Sequence, residues 1–221
     1  MAAVPWVALG SFASGAGSLY LLARLRTRWD KPGAKWFVAT IGTITVWSVV
    51  YGVALLLSSP PVRLALEAFS WVCLVWLGFF FSAFALGYTG RRALFDGVLF
   101  RAVAGIPIGV SLLAATNARH ELLWADPRVT ASGAVWAVES TIQPLGYFAV
   151  FLTMVFVVFG TMLVFDTVLS YGPLYRREAV AVGLSPIPPG LAMLAWTLGF
   201  GPAVNLTTVA FLPHLCLDTY A

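Results

Sequence analysis

His120 and Glu121 stand side by side in the stretch Thr116-Asn117-Ala118-Arg119-His120-Glu121-Leu122-Leu123-Trp124, three titratable side chains in a row within a chain that is 60% apolar. The His-Glu pair invites a zinc-protease reading, in which a second histidine four residues on shares a helical face with the first and completes the metal site. Trp124 occupies that position, and the chain's other histidine is His214. Cys73 and Cys216 both fall inside apolar runs, where thiols serve as small buried residues and build neither a disulfide framework nor a metal site. No metal is therefore expected, and the polar cluster needs another explanation.

That explanation comes from the elements around it. With a mean hydropathy of +0.90 and only 10% charged residues among 221, the chain has too little polar surface to coat a soluble globule. Continuous apolar runs fall near residues 4–24, 36–57, 64–88, 94–115, 145–169, 179–200 and 203–221, each close to the ~20 residues that cross a hydrocarbon layer as a helix. The expected fold is all-α: a single polytopic domain over residues 1–221 with seven transmembrane helices. The last two runs have a second reading as one re-entrant or broken segment, because residues 185–190 read SPIPPG and only Gly199 to Pro202 separates them. The first run lacks a basic segment ahead of it and is read as an uncleaved helix, not as a secretory leader.

Orientation follows from the cations. Arg24, Arg26, Arg28, Lys31, Lys35, Arg91, Arg92, Arg101, Arg176 and Arg177 fall on one side of the expected bundle, ten of the 13, against Arg63, Arg119 and Arg128 on the other. Cytoplasmic loops carry the excess of Lys and Arg, so the N-terminus is expected outside, the C-terminus inside, and the location is the cell membrane. The net charge of +4 then reflects topology, and no nucleic-acid partner is implied. The longest non-spanning stretch, 116–144, lies outside, with a small hairpin expected over the bundle around Ser132-Gly133 and Trp124 and Trp136 at the headgroup level. The opening cluster marks the point where the chain leaves the bilayer.

A pocket open to the outside, walled by helices three, four, five and seven and capped by this loop, is the expected ligand site. Its candidates are Glu67, Trp71, Trp76, Asn117, His120, Glu139, Gln143, Tyr147 and Asn205. Glu67 lies four residues after Arg63, a spacing that suits a helical surface pair worth a few tenths of a kcal/mol. Asp166 and Asp218 sit near the inner ends of helices five and seven, level with Arg101 and Arg176. Three roles stand open for them: interfacial solvation, a state-dependent salt bridge, or a proton relay. Pro107 and Pro188 each remove a backbone hydrogen bond and kink their helices, either as hinges or as static bends. Gly10, Ser14, Gly15, Gly17 and Ser18 in helix one permit close packing, within the bundle or across a homodimer.

The chain resembles the N-terminal seven-transmembrane sensor region of membrane histidine kinases of archaea and some bacteria. The likeness is carried by Leu86-Gly87-Tyr88-Thr89-Gly90, Ile106-Pro107, Thr116-Asn117 with His120 and Trp124, Arg176-Arg177-Glu178-Ala179, Pro188-Pro189-Gly190-Leu191 and Asn205 to Phe211, in that order. In that family the Pro-Gly-Leu stretch usually lies in the outer link before helix seven; here about 20 apolar residues follow it. The resemblance implies a sensory input domain in a two-component system, without catalysis of its own. It would detect an extracellular, lipophilic or membrane-derived cue and pass a helix rearrangement to a cytoplasmic kinase-like effector. The 221 residues themselves carry no acceptor histidine helix, so that effector is expected either in a longer parent receptor or as a separate partner.

Rival chemistries are narrower. A retinal Schiff base needs a lysine in the last helix, and the chain's lysines are Lys31 and Lys35. A bis-histidine haem needs two imidazoles at one depth, whereas His120 is expected at the outer surface and His214 in the inner half of helix seven. No cofactor is expected. A small-molecule or proton-coupled transporter is the alternative function, though no internal repeat with paired broken helices supports it.

Overall fold

The computed structural model describes residues 5–25, 31–171, 182–200 and 202–212. Its elements are α1 (Trp6–Leu25), α2 (Ala34–Leu55), α3 (Pro60–Tyr88), α4 (Val98–Thr116), a hairpin of β1 (Trp124–Ser132) and β2 (Val135–Ile142), α5 (Pro144–Tyr171) and α6 (Ile187–Thr197). Five helices among the described residues are long and apolar enough to cross a membrane: Trp6–Leu25, Ala34–Leu55, Pro60–Tyr88, Val98–Arg119 and Pro144–Asp166. Their outward side chains, among them Leu19, Leu112, Phe151 and Met162, are large and apolar, as a lipid solvent requires.

α3 is the central rod, with α2, α4 and α5 packed on it and α1 packed on α2. Apolar side chains gain little by leaving lipid for protein, so close backbone approach must hold such helices together. The small residues of α1 do this within the bundle. Gly15 lies against Val49, Gly10 against Val209, and Ser48 Oγ donates to Ser14 Oγ at 3.4 Å. At the other end of α2, Gly33 takes a left-handed φ of 81° and packs on the backbone of Phe84, Gly87 and Tyr88. A side chain at Gly33 would be strained by its φ and obstructed by α3.

The two ends of the bundle differ in charge. Arg24, Lys31, Lys35 and Arg91 lie where α1 ends, α2 begins and α3 ends. Arg63, Arg119 and Arg128 lie at the hairpin end. β1 and β2 pair antiparallel, from Trp124↔Ile142 to Ser132↔Val135, with a bulge between Ala125 and Arg128. Gly133, at φ 64°, supplies the first position of the two-residue turn, where a positive φ matches the strands' twist.

Three expected boundaries are corrected. The helix expected from residue 94 begins at Val98, because Gly97 is extended and separates it from a 3-10 turn at Arg92–Asp96. The run expected as helix six over 179–200 is broken: a helical turn at 182–184, a turn at Ser185-Pro186, then α6. Pro188 and Pro189 therefore start a helix, where a missing N–H costs little, and do not kink one. Residues 203–208 of expected helix seven are irregular and lead into a 3-10 turn at Val209–Phe211. Asn205 explains the break, because its Oδ1 accepts from Thr207 N at 2.9 Å and from Thr207 Oγ1 at 2.5 Å, a local alternative to helical bonding. His214, Cys216, Asp218, Arg176 and Arg177 lie outside the described residues.

Candidate functional site

The hairpin end is closed by side chains. Leu123, Trp124, Val135 and Ala137 point inward and join the main apolar core. Trp124 stacks on Trp71 with centroids 5.3 Å apart, and Trp196 of α6 meets Trp71 edge-on at 6.5 Å. Trp124 is thus core and not a headgroup anchor, because the bulge turns the start of β1 down onto α3. Beside this stack Arg63 Nη1 donates to Glu67 Oε2 at 2.9 Å, with side chains only 1% and 9% exposed. This corrects the expected surface pair. Arg63 Nε also donates to the Trp136 carbonyl at 3.3 Å, and its guanidinium lies 5.7 Å from the Tyr51 ring centre. Tyr51 OH in turn accepts from Asn205 N at 2.8 Å. The hairpin, α2, α3 and the segment after α6 are thereby tied into one buried network.

Asn117 explains the polar stretch at residues 116–124. Its Nδ2 donates to the Trp124 carbonyl at 2.7 Å and its Oδ1 accepts from Leu123 N at 2.9 Å. Its own carbonyl receives Glu121 N at 2.8 Å. His120 lies outside this turn, its Nε2 3.0 Å from Thr116 Oγ1 and its Nδ1 accepting from Leu122 N. These residue types are held there by turn geometry. Of the other candidates, Glu139 is exposed and accepts from Thr130 Oγ1, Gln143 is half-buried at the join to α5, and Tyr147 is 45% exposed. Trp76 Nε1 donates to Ser111 Oγ at 3.0 Å, which donates to the carbonyl of Pro107 at 2.6 Å. The helix runs through Pro107 without interruption. Only Glu67, Trp71 and Asn205 come together, around a void of about 10 Å³.

The large cavity, about 570 Å³, lies toward the basic end. α1, α2, α3 and α5 form most of its wall, and residues 182–190, Met193, Thr207 and Phe211 close the remaining side. The lining runs from Lys31 and Arg24, at the basic end, past Phe37, Ile41, Leu77 and Phe81 to Trp47 and Met193. Ala34 and Trp47, both in the wall, are 13 residues apart, so the shaft runs about 20 Å along α2 at 1.5 Å per residue. Its polar groups are few and mostly spoken for: Thr40 Oγ1 donates to the Trp36 carbonyl and Thr153 Oγ1 to that of Ala149. The Trp47 indole N–H is buried without a hydrogen-bond partner among the described residues. An apolar shaft of this volume with few polar groups has the character of a small-molecule site.

The break at Ser185-Pro186 lies in the cavity wall. Val182 packs at the level of Ala85 and Val164, and on either side of the break Val182, Ser185, Pro186, Pro189 and Gly190 all face the cavity. The sequence signal was present in SPIPPG, but a proline cluster reads equally as a kink, a hinge or a helix start. Asp166, expected level with Arg101 and Arg176, is instead bonded by Arg91 Nη2 at 2.6 Å, and the pair is largely exposed.

Helices that could cross a bilayer, lipid-facing apolar surfaces and charge gathered at the helix ends define a multi-pass membrane protein with an internal chamber. The family model for the N-terminal 7TM region of histidine kinase matches residues 10–221, and the chain belongs to that family. No curated protein matches it, and no solved structure does.

Proposed function

We propose that this chain is the input region of a plasma-membrane histidine kinase receptor, crossing the bilayer seven times with its basic end in the cytoplasm. Two crossings remain after α5. The sixth is the broken segment from Val182, packed at the level of Ala85, to Trp196, packed on Trp71; the seventh starts at Asn205 beside Tyr51 and descends past Phe211 beside Trp47. The segregation of Arg24, Lys31, Lys35 and Arg91 to one end supports the orientation.

One observation carries the sensory reading. The segment that forms the last wall of the cavity, through Pro189, Met193, Thr207 and Phe211, is also the most C-terminal of the described residues, the side on which the proposed effector would attach. An occupant that fits one placement of this wall better than another shifts the population between them, by no more than its difference in affinity for the two. The hairpin network ties the same segment to the outer face through Tyr51 and Trp71, so a lipophilic or membrane-derived cue within and an event outside converge on it. Transport is less well supported, because Glu67, a membrane-level acid, is closed into its pair with Arg63 and does not face the large cavity.

Gly190 provides the test. It lines the cavity, and a Cβ there meets only Met154 Sδ, at an ordinary 3.8 Å, so Gly190→Phe fills the chamber without obstructing the backbone. In the full receptor reconstituted in nanodiscs, G190F should change basal autophosphorylation several-fold in either direction. A folded, membrane-inserted G190F receptor with unaltered output would refute the reading.

A further inference from the structure

We infer that the cavity holds a single-chain amphiphile with an anionic head, the head at Lys31 and Arg24 and the chain extending toward Trp47 and Met193. The inference rests on reading the cavity as the input site, and adds the chemical class of what occupies it.

Shape supplies the first part. A shaft about 20 Å long, measured along α2 at 1.5 Å per residue, is walled by Phe37, Ile41, Leu77 and Phe81 and encloses about 570 Å³. With a methylene taken as water-sized, roughly 30 Å³, that volume holds about 19 such groups. One long acyl chain with a small head matches this volume. Of the lining hydroxyls, Thr40, Thr153 and Ser185 donate to backbone carbonyls and Thr207 donates to Asn205 Oδ1, so the walls present mainly apolar surface to an occupant.

Charge supplies the second part. Among the described residues, the charged side chains of the lining are the two cations Arg24 and Lys31, both at the basic end of the bundle. Arg24 belongs to the last turn of α1 and lies over the Tyr20 ring at 5.7 Å, while Lys31 precedes the Pro32-Gly33 turn into α2. Cations beside a membrane surface attract anionic head groups, each by roughly fivefold in affinity. An apolar shaft ending in two cations selects a carboxylate or phosphate carried on one chain, over a neutral alcohol of the same length.

Photoaffinity labelling of the 221-residue chain in nanodiscs tests this. The probes are a hexadecanoic acid bearing a diazirine near its tail and an alkyne handle, and the matching hexadecanol. The acid should label saturably at residues of the deep cavity near Trp47, Met193 or Phe211, about 30-fold more tightly than the alcohol. Competition by palmitate assigns a carboxylate head, competition by hexadecyl phosphate assigns a phosphate head, and either supports the inference. The double variant R24Q/K31Q should lose the preference for acid and retain the alcohol's labelling; the comparison of acid with alcohol on the unaltered chain needs no variant and stands if that one fails to fold. Equal labelling by acid and alcohol overturns the inference, as does labelling confined to lipid-facing residues such as Phe151 and Met162, or a shaft filled by residues 213–221 of the chain itself. The two proposals fail separately: acid selectivity with unchanged G190F kinase output sinks the input reading alone, whereas altered output without acid selectivity sinks the ligand class alone.

Discussion

Removing the Glu67 carboxylate leaves the Arg63 guanidinium buried under the hairpin. Arg63 is 1% exposed and donates to Glu67 at 2.9 Å, so in Glu67→Leu it keeps only the Trp136 carbonyl at 3.3 Å and the face of Tyr51. Breaking a buried pair by deleting one partner costs about 3–5 kcal/mol. The remaining carbonyl and ring offset roughly 1 kcal/mol of that, so a net loss of about 2–4 kcal/mol is expected. Replacing both, as in R63M/E67L, removes the stranded charge and should restore stability to within about 1 kcal/mol of the original. Reversible unfolding in mixed micelles of mild detergent and dodecyl sulfate reads both values. A solvated helical pair would instead cost about 0.3–0.5 kcal/mol on removal. A loss of that size in E67L, or a double variant as damaged as the single one, would refute the buried assignment.

Other perturbations separate the buried features from exposed ones. Asn117→Ala deletes the bonds to the Trp124 carbonyl and Leu123 N and leaves a buried amide unpaired; it should cost roughly 2–4 kcal/mol and speed exchange of the Leu123 amide, and unchanged protection would contradict that role. Gly146→Ala drives a methyl into the Leu123 carbonyl, which already accepts from Gln143 N at 3.0 Å; a loss of about 1–3 kcal/mol with faster tryptic cleavage after Arg128 is expected. Asp166→Asn breaks a pair whose side chains are 38% and 60% exposed, so it should cost less than about 1 kcal/mol; a larger loss would mean the pair is structural.

Much of the scaffold could be read from residue order alone. Five apolar runs became helices within a few residues of their expected ends, the largest differences being the early start of α3 at Pro60 and the late start of α4 at Val98, because length and hydropathy decide a crossing and neither depends on tertiary contacts. The hairpin was legible at Ser132-Gly133, where a turn residue falls between alternating strands. The interior was not. α5 is apolar on all sides, so nothing in its pattern separates the face toward lipid from the face toward the cavity. Arg63 and Glu67 have the spacing of a surface pair, and only the hairpin laid over them makes the pair buried. His120 and Asn117 looked like ligand chemistry because turn residues and binding residues are drawn from the same polar set. The chamber is walled by side chains from α1, α2, α3, α5 and residues 182–211 together, a tertiary arrangement with no periodic signature.

The chamber near the basic end must be open and walled by residues between Val182 and Phe211 for its occupant to act on that segment. A cryo-electron microscopy structure of the full receptor in lipid nanodiscs examines this directly. Elongated density is expected between Ile41, Leu77, Pro189 and Met193, with its head beside Lys31. Side chains of α2, α3 and α6 packed against one another across that space would contradict the account.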